Sequence, residues 1–118
     1  MIIVAKAWGY EQWFHNSRLY CYKHLHIEQG KFCSLHYHED KSETFVVLSG
    51  EVQIWVNGKL SRHVTGDSVT IHPYEAHQFR GVVDSVIAEA STHHKDSDSI
   101  RITREWQTES TQRLPQLA

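Results

Sequence analysis

The chain of 118 residues and 13.8 kDa suffices for one compact domain and is too short for two. With 40% hydrophobic and 22% charged residues it has the make-up of a soluble globular protein, not of a disordered one. Twelve basic against fourteen acidic residues leave a net charge of −2, which argues against a nucleic-acid partner, and no apolar run approaches the roughly 20 residues that span a bilayer. The opening segment, Met1 to Trp8, turns polar too early for a secretory leader. Two cysteines, Cys21 and Cys33, make no disulfide framework and read as packing residues, so the expected location is cytoplasmic with free thiols. The unusual feature is ten histidines, the commonest metal-ligating residue.

Alternation with period two predicts strands almost throughout. Trp8-Gly9-Tyr10 and Trp13-Phe14 belong to an N-terminal segment expected to cover an open end of a barrel or to form an edge strand. Leu19 to Ile27 alternates cleanly, with Cys21, Lys23 and Leu25 on one face and Tyr22, His24 and His26 on the other. Phe32–His38, Glu43–Leu48 and Val52–Val56 follow, and Asn57-Gly58 is a strong hairpin signal. Leu60–Val64, Ser68–His72, His77–Arg80, Val82–Thr92 and Ser99–Arg104 complete the set. Short strands every eight to twelve residues predict an all-β, single-domain antiparallel sandwich or barrel. The barrel, with its N-terminal edge segment, is expected to occupy 1–106. Residues 107–118, polar and holding Pro115, are expected to be a frayed tail. So small a core makes a homodimer through a sheet edge the expected assembly.

His36 and His38 stand one residue apart on a predicted strand, so both imidazoles leave the same face about 6.5–7 Å apart and can lean onto one cation. Glu43 opens the next strand across a short loop, and His77 heads the strand after the Pro73 turn. Three imidazoles and a carboxylate suit one divalent first-row metal (zinc, manganese, iron or nickel) with positions open for water or substrate. Such a site is expected to lose metal as pH falls through roughly 6.5, where free imidazole protonates. His15, His63, His93 and His94 read as surface residues, and His24 with His26 as a weak second metal pair.

At these positions the sequence resembles the cupin superfamily. Gly30, His36-x-His38, Glu43 and Gly50 match the first cupin motif in every spacing, and Gly66 with His77 keep the separation of the second. His72 and Tyr74 stand where proline and a second glycine are usual, Pro73 is displaced by one place, and Gly81 replaces the closing asparagine. The resemblance implies a double-stranded β-helix, or jelly-roll barrel, with the metal inside.

Shorter stretches resemble the mannose-6-phosphate and lyxose isomerases of that superfamily. These are Trp8-Gly9-Tyr10, Tyr20-Cys21-Tyr22-Lys23, Lys41-Ser42-Glu43-Thr44-Phe45, and Glu89-Ala90-Ser91-Thr92 with Asp96, Asp98 and Ile100-Arg101. The implied function is aldose–ketose isomerisation of a sugar or sugar phosphate, in which the metal lowers the cost of an enediolate and a base moves the proton. Glu89, sharing parity with Ile87, is the candidate base, and Lys23 projects inside as a second catalytic group. Lys41, His72, Arg80 and Arg101 are candidate substrate-binding residues, the arginines for a phosphate or carboxylate. An iron-dependent dioxygenase and a non-catalytic sugar-binding cupin remain alternatives, because the fold alone does not fix function.

Overall fold

The computed structural model describes residues 1–107. It contains eleven strands and one 3₁₀ turn: β1 (Ile2–Lys6), β2 (Gly9–Asn16), β3 (Cys21–Ile27), β4 (Leu35–Tyr37), β5 (Glu43–Ser49), β6 (Glu51–Val56), β7 (Lys59–Val64), β8 (Ser68–Ile71), β9 (His77–Gly81), β10 (Ser85–Ser91) and β11 (Ile100–Thr103), with the turn at Asp96–Asp98. Among the described residues no helix is long and apolar enough to cross a membrane. The strands form two antiparallel sheets, one ordered β1-β2-β3-β10-β5-β8 and the other β11-β4-β9-β6-β7. Hairpins join β1 to β2, β2 to β3 and β6 to β7, and every other connection crosses between the sheets, as in a jelly roll.

Strand parity places the core between the sheets. In β3 the residues Cys21, Lys23, Leu25 and Ile27 are buried while Tyr22, His24 and His26 are half-exposed. The same alternation buries Glu43, Phe45 and Val47 in β5 and Ile87 and Glu89 in β10. Their registers are in phase, with Glu89 facing Lys23 on one side and Phe45 on the other. Charged residues therefore occupy inward positions of otherwise apolar strands. Buried charges require partners.

The N-terminal segment forms two strands, with β1 at the sheet edge. Trp8, in the turn between them, enters the core and meets Phe79 edge-to-face at 5.0 Å. At the other end of the described chain, Gln107 is buried and its N–H donates to the Gln78 side-chain carbonyl. That residue is therefore anchored, where a frayed tail was expected from 107. The remainder of that tail, 108–118, lies outside the described residues.

Two turns carry the backbone requirements of the motif positions. Gly50 has φ +88°, and a Cβ there would lie 2.7 Å from the Asp84 carbonyl oxygen, so only glycine fits. Tyr74, which replaces a glycine of the second motif, still adopts φ +67°. Its N–H donates to the His38 carbonyl at 2.7 Å, while the Glu75 carboxylate accepts the His72 N–H at 2.7 Å. The altered sequence thus keeps a left-handed turn before β9, held by bonds that offset the usual cost of that conformation for a non-glycine residue.

Candidate metal centre

The cage is built where the two sheets meet. His36 in β4 pairs directly with His77 at the start of β9, which brings their rings to 4.3 Å. His38 follows β4, its ring 5.0 Å from His36 and 5.3 Å from His77. Imidazole nitrogens of the three lie within 4.8 Å of one another, a separation one ion can bridge. Glu43 arrives from the opposite sheet, with Oε1 2.7 Å from His77 Nε2 and 3.6 Å from His38 Nε2.

Hydrogen bonding outside the cage fixes which nitrogen faces in. Nδ1 of His36 donates to the Ser34 carbonyl at 2.8 Å, that of His38 to the Asp98 carbonyl at 3.0 Å, and that of His77 to the Glu75 carbonyl at 2.9 Å. A carbonyl oxygen only accepts, so each Nδ1 carries the hydrogen and each neutral ring turns a lone pair inward at Nε2. The consequence is sharpest at His77 Nε2 and Glu43 Oε1. Both are fully buried and neither has a hydrogen-bond partner, although they are 2.7 Å apart. Two lone pairs held that close require a proton or a metal ion between them. These residues fit a divalent first-row metal ion.

Next to the cage lies a buried ionic cluster. Lys41 Nζ is 3.3 Å from Glu43 Oε2, 2.9 Å from Glu89 Oε2 and 3.1 Å from His94 Nδ1. An ammonium has three hydrogens, and these three acceptors use them all. Lys41, a candidate substrate-binding residue that lines the cavity, joins Glu43 to the candidate base Glu89. Glu89 also accepts from Ser91 Oγ at 2.9 Å, again on Oε2. The immediate partners of Glu89 are thus polar. Lys23, buried on the neighbouring strand, lies 4.0 Å over the Trp13 ring and 3.7 Å from Glu11 Oε1.

These environments shift ionisation. Burial works to raise the Glu43 carboxyl, but the close His38 and His77 rings and the Lys41 charge outweigh it and hold it well below the usual value. Burial works to lower the Lys41 ammonium, and the Glu89 and Glu43 carboxylates outweigh that and raise it. Burial first, and then neighbouring His77, pushes His36 down to about 3, so this ring stays an available ligand far below the pH of 6.5 at which free imidazole protonates.

His36, His38, Glu43, Lys41, Glu89 and Lys23 line one cavity of about 610 Å³, walled on its apolar side by Trp8, Leu25, Phe45 and Phe79, and His77 lies behind that lining. Arg101 lines it too, opposite His36 in the β4–β11 register. Two candidate substrate residues stand apart from it. His72 is exposed beyond the end of β8, and Arg80 lies 5.7 Å over the Trp106 ring, away from the lining. His24 and His26 form no metal-sized group; their Nε2 atoms are taken by Tyr22 Oη and Gln12 Oε1.

Two residues had no role in the sequence reading. His94, expected at the surface, lines the cavity. Its ring meets Trp13, its Nε2 bonds Asp96, and Asn16 clasps its backbone through two hydrogen bonds. Burial, then the Lys41 and Lys23 charges, lower it to about 4. Asp98, 5% exposed, accepts the N–H groups of Glu39, Asp40 and Lys41, three consecutive residues between the ligands His38 and Glu43. Its own carbonyl orients His38. No local pattern around Asp98 announces this; the partners lie 57–60 residues away.

Asp98→Ala is expected to weaken metal affinity by about 10–100-fold, measured by chelator competition, because it frees the ligand loop. Unchanged affinity would show that other contacts hold the loop. A second expectation concerns acid. His36 and His94 have folded values of about 3 and about 4, against 6.5 unfolded, so below pH 6.5 the unfolded chain binds protons that the folded chain refuses. Stability of the metal-free protein is then full above pH 6.5 and falls as pH drops toward 4, by up to about 1.4 kcal/mol per pH unit for each group. Urea midpoints at pH 7.5 and 5.0 measure this, and His94→Asn should fall less steeply.

The model of the "Cupin domain" family matches residues 23–90, more than half of the chain and the span from Lys23 to just past Glu89. Among curated proteins none matches the sequence significantly. Solved structures of like fold include KdgF from Halomonas sp., 16% identical, with a TM-score of 0.70 over 75% of this chain and 81% of that one. An RmlC-like cupin from Shewanella frigidimarina is 18% identical, with a TM-score of 0.74 over 81% and 86%. A histidine-to-glutamine variant of Streptomyces PAC13, determined with uridine, is 14% identical, with a TM-score of 0.77 over 92% and 88%. The chain belongs to the cupin family.

Proposed function

We propose that this cupin is a metal-dependent isomerase that moves a proton between adjacent carbons of an aldose or ketose. The observation that supports the reading is the Glu43–Lys41–Glu89 cluster, in which the buried Glu89 carboxylate lines the same cavity as the cage residues His36, His38 and Glu43. A divalent ion held by His36, His38, Glu43 and His77 supplies Lewis acidity toward carbonyl and hydroxyl oxygens. The chain's own residues supply the rest.

Both bonds to Glu89 fall on Oε2, so Oε1 is the atom left to take a proton from carbon and return it to the neighbouring carbon. Lys41 is a positioning residue that keeps Glu89 beside the cage. Lys23 sits on the cavity wall with its stem buried and its ammonium held by the Trp13 face, placed to donate to a hydroxyl of the ligand. Trp8, Phe45 and Phe79 offer apolar faces for the C–H side of a sugar and keep bulk water from the carbon being deprotonated. The uridine in the PAC13 structure, a ligand with a ribose, supports a hydroxyl-rich occupant for this fold.

The test is elemental analysis of the purified protein joined to an aldose and ketose screen in deuterated water. One metal per chain is expected, absent from His36→Ala and His38→Ala, with deuterium entering the carbon next to the carbonyl. Glu89→Gln is expected to keep its metal and lose about 10²-fold or more in turnover. Normal turnover by that variant would remove Glu89 as base. Full metal content in both histidine variants would remove the site, and oxygen uptake with substrate would replace isomerisation by oxygenation.

A further inference from the structure

The charges around the cavity divide into two groups. Deep inside, every cation has a carboxylate: Lys23 has Glu11, and Lys41 has Glu43 and Glu89. At the mouth stand Lys6 at the end of β1, Arg101 in β11 and Arg104 just after it, all exposed and all lining the cavity, against one exposed carboxylate there, Asp96. Among the described residues none of these three makes an ion pair. The lining as a whole holds five cations (Lys6, Lys23, Lys41, Arg101, Arg104) against four carboxylates (Glu11, Glu43, Glu89, Asp96), in a protein whose net charge is −2. Positive charge has been gathered at one opening of an acidic molecule, and such a rim focuses its field into the cavity.

Register ties this rim to the cage. Arg101 is the cross-strand partner of His36, so their side chains leave the same face of the sheet from neighbouring backbone positions. A ligand with its reacting oxygens at the cage therefore extends past Arg101 on its way out. Guanidinium groups match carboxylate and phosphate oxygens through paired N–H donors, which a neutral hydroxyl cannot exploit.

We infer that the cavity takes a substrate with an anionic end, a carboxylate or a phosphate, held at the mouth by Arg101 and Arg104 with Lys6 alongside, while its carbonyl end lies at the cage. This rests on the isomerase reading only for the identity of the carbonyl end. The anion subsite itself is independent of which reaction follows.

The experiment compares glucose, glucuronate and glucose 6-phosphate, one carbon skeleton with a neutral, carboxylate or phosphate end, by calorimetric titration into the manganese-loaded protein. At least one anion should bind 10-fold or more tighter than glucose, with the advantage shrinking as salt rises. Which anion gains identifies the end group. Arg101→Gln/Arg104→Gln should cancel that advantage, leave glucose affinity unchanged and keep full manganese content. Arg104→Gln alone, outside the β4–β11 pairing, serves should the double variant fold poorly. Equal affinity for all three sugars overturns the inference, as does an anion preference that survives in the double variant. Anion preference without isomerisation keeps the subsite and removes the isomerase reading; isomerisation without anion preference does the reverse. Should no sugar bind, inorganic phosphate read by manganese broadening of its ³¹P signal decides: broadening in the wild type and not in the double variant supports the subsite, and equal or absent broadening overturns it.

Discussion

Three backbone carbonyls, those of Ser34, Glu75 and Asp98, set the chemistry of this molecule. Each holds the Nδ1–H of one cage histidine, and together they turn the three Nε2 lone pairs toward a common point. The carbonyls come from three separate stretches of chain: the approach to β4, the turn before β9, and the 3₁₀ turn before β11. No single segment contains the site. It exists only when both sheets have closed and β11 has added to the edge beside β4. The orphaned pair at His77 Nε2 and Glu43 Oε1 is the counterpart of this arrangement, since an unpaired buried acceptor costs free energy that folding alone does not return.

Asp98 is the junction in that scheme. Its carboxylate gathers three N–H groups from the loop that links His38 to Glu43, and its carbonyl orients His38. Burial opposes its charge, and the N–H groups of Glu39 and Asp40 outweigh burial and keep its pKa below the ordinary aspartate value. One side chain thereby sets both the distance between two ligands along the chain and the tautomer of one of them. A neutral residue of the same size offers fewer acceptor sites for those three donors.

The sequence made the strands and the four cage residues legible for one reason: both follow local rules. Alternation of Cys21, Lys23, Leu25 and Ile27 with Tyr22, His24 and His26 predicts a half-buried strand, and β3 has that burial. His36 and His38, one residue apart, meet His77 through the β4–β9 register and Glu43 through the short crossing from β4 to β5. Partnerships across the fold were not legible. His94 looks like any polar loop histidine until Asn16, 78 residues earlier, clasps its backbone and Trp13 covers its ring. Arg80 and Arg101 carry the same chemistry in sequence. Strand position alone separates them, since β9 sends Arg80 to Trp106 while β11 sets Arg101 beside His36. The turn at Tyr74 is a third case: a missing glycine predicts an altered backbone, yet bonds from Tyr74 and to Glu75 preserve the left-handed geometry.

The Lys41 cluster ties the readiness of the cage to the position of the base. Two carboxylates, Glu43 and Glu89, share one ammonium, so the buried charges do not balance by themselves. Such a set is costly to bury, and losing one partner of a buried ion pair typically costs about 3–5 kcal/mol because the remaining charge is stranded. A divalent cation beside Glu43 reverses the imbalance and binds the folded chain far better than the unfolded one, so loading it stabilises the fold by mass action. Glu43 faces the cage through Oε1 and Lys41 through Oε2, and Lys41 in turn holds Glu89. Glu43 and Glu89 are thus joined through one ammonium, which ties the position of the candidate base to that of the candidate ligand. Lys41 is itself held from outside the cluster, by the Asp98 clasp on its backbone and by the His94 nitrogen that takes the third ammonium hydrogen.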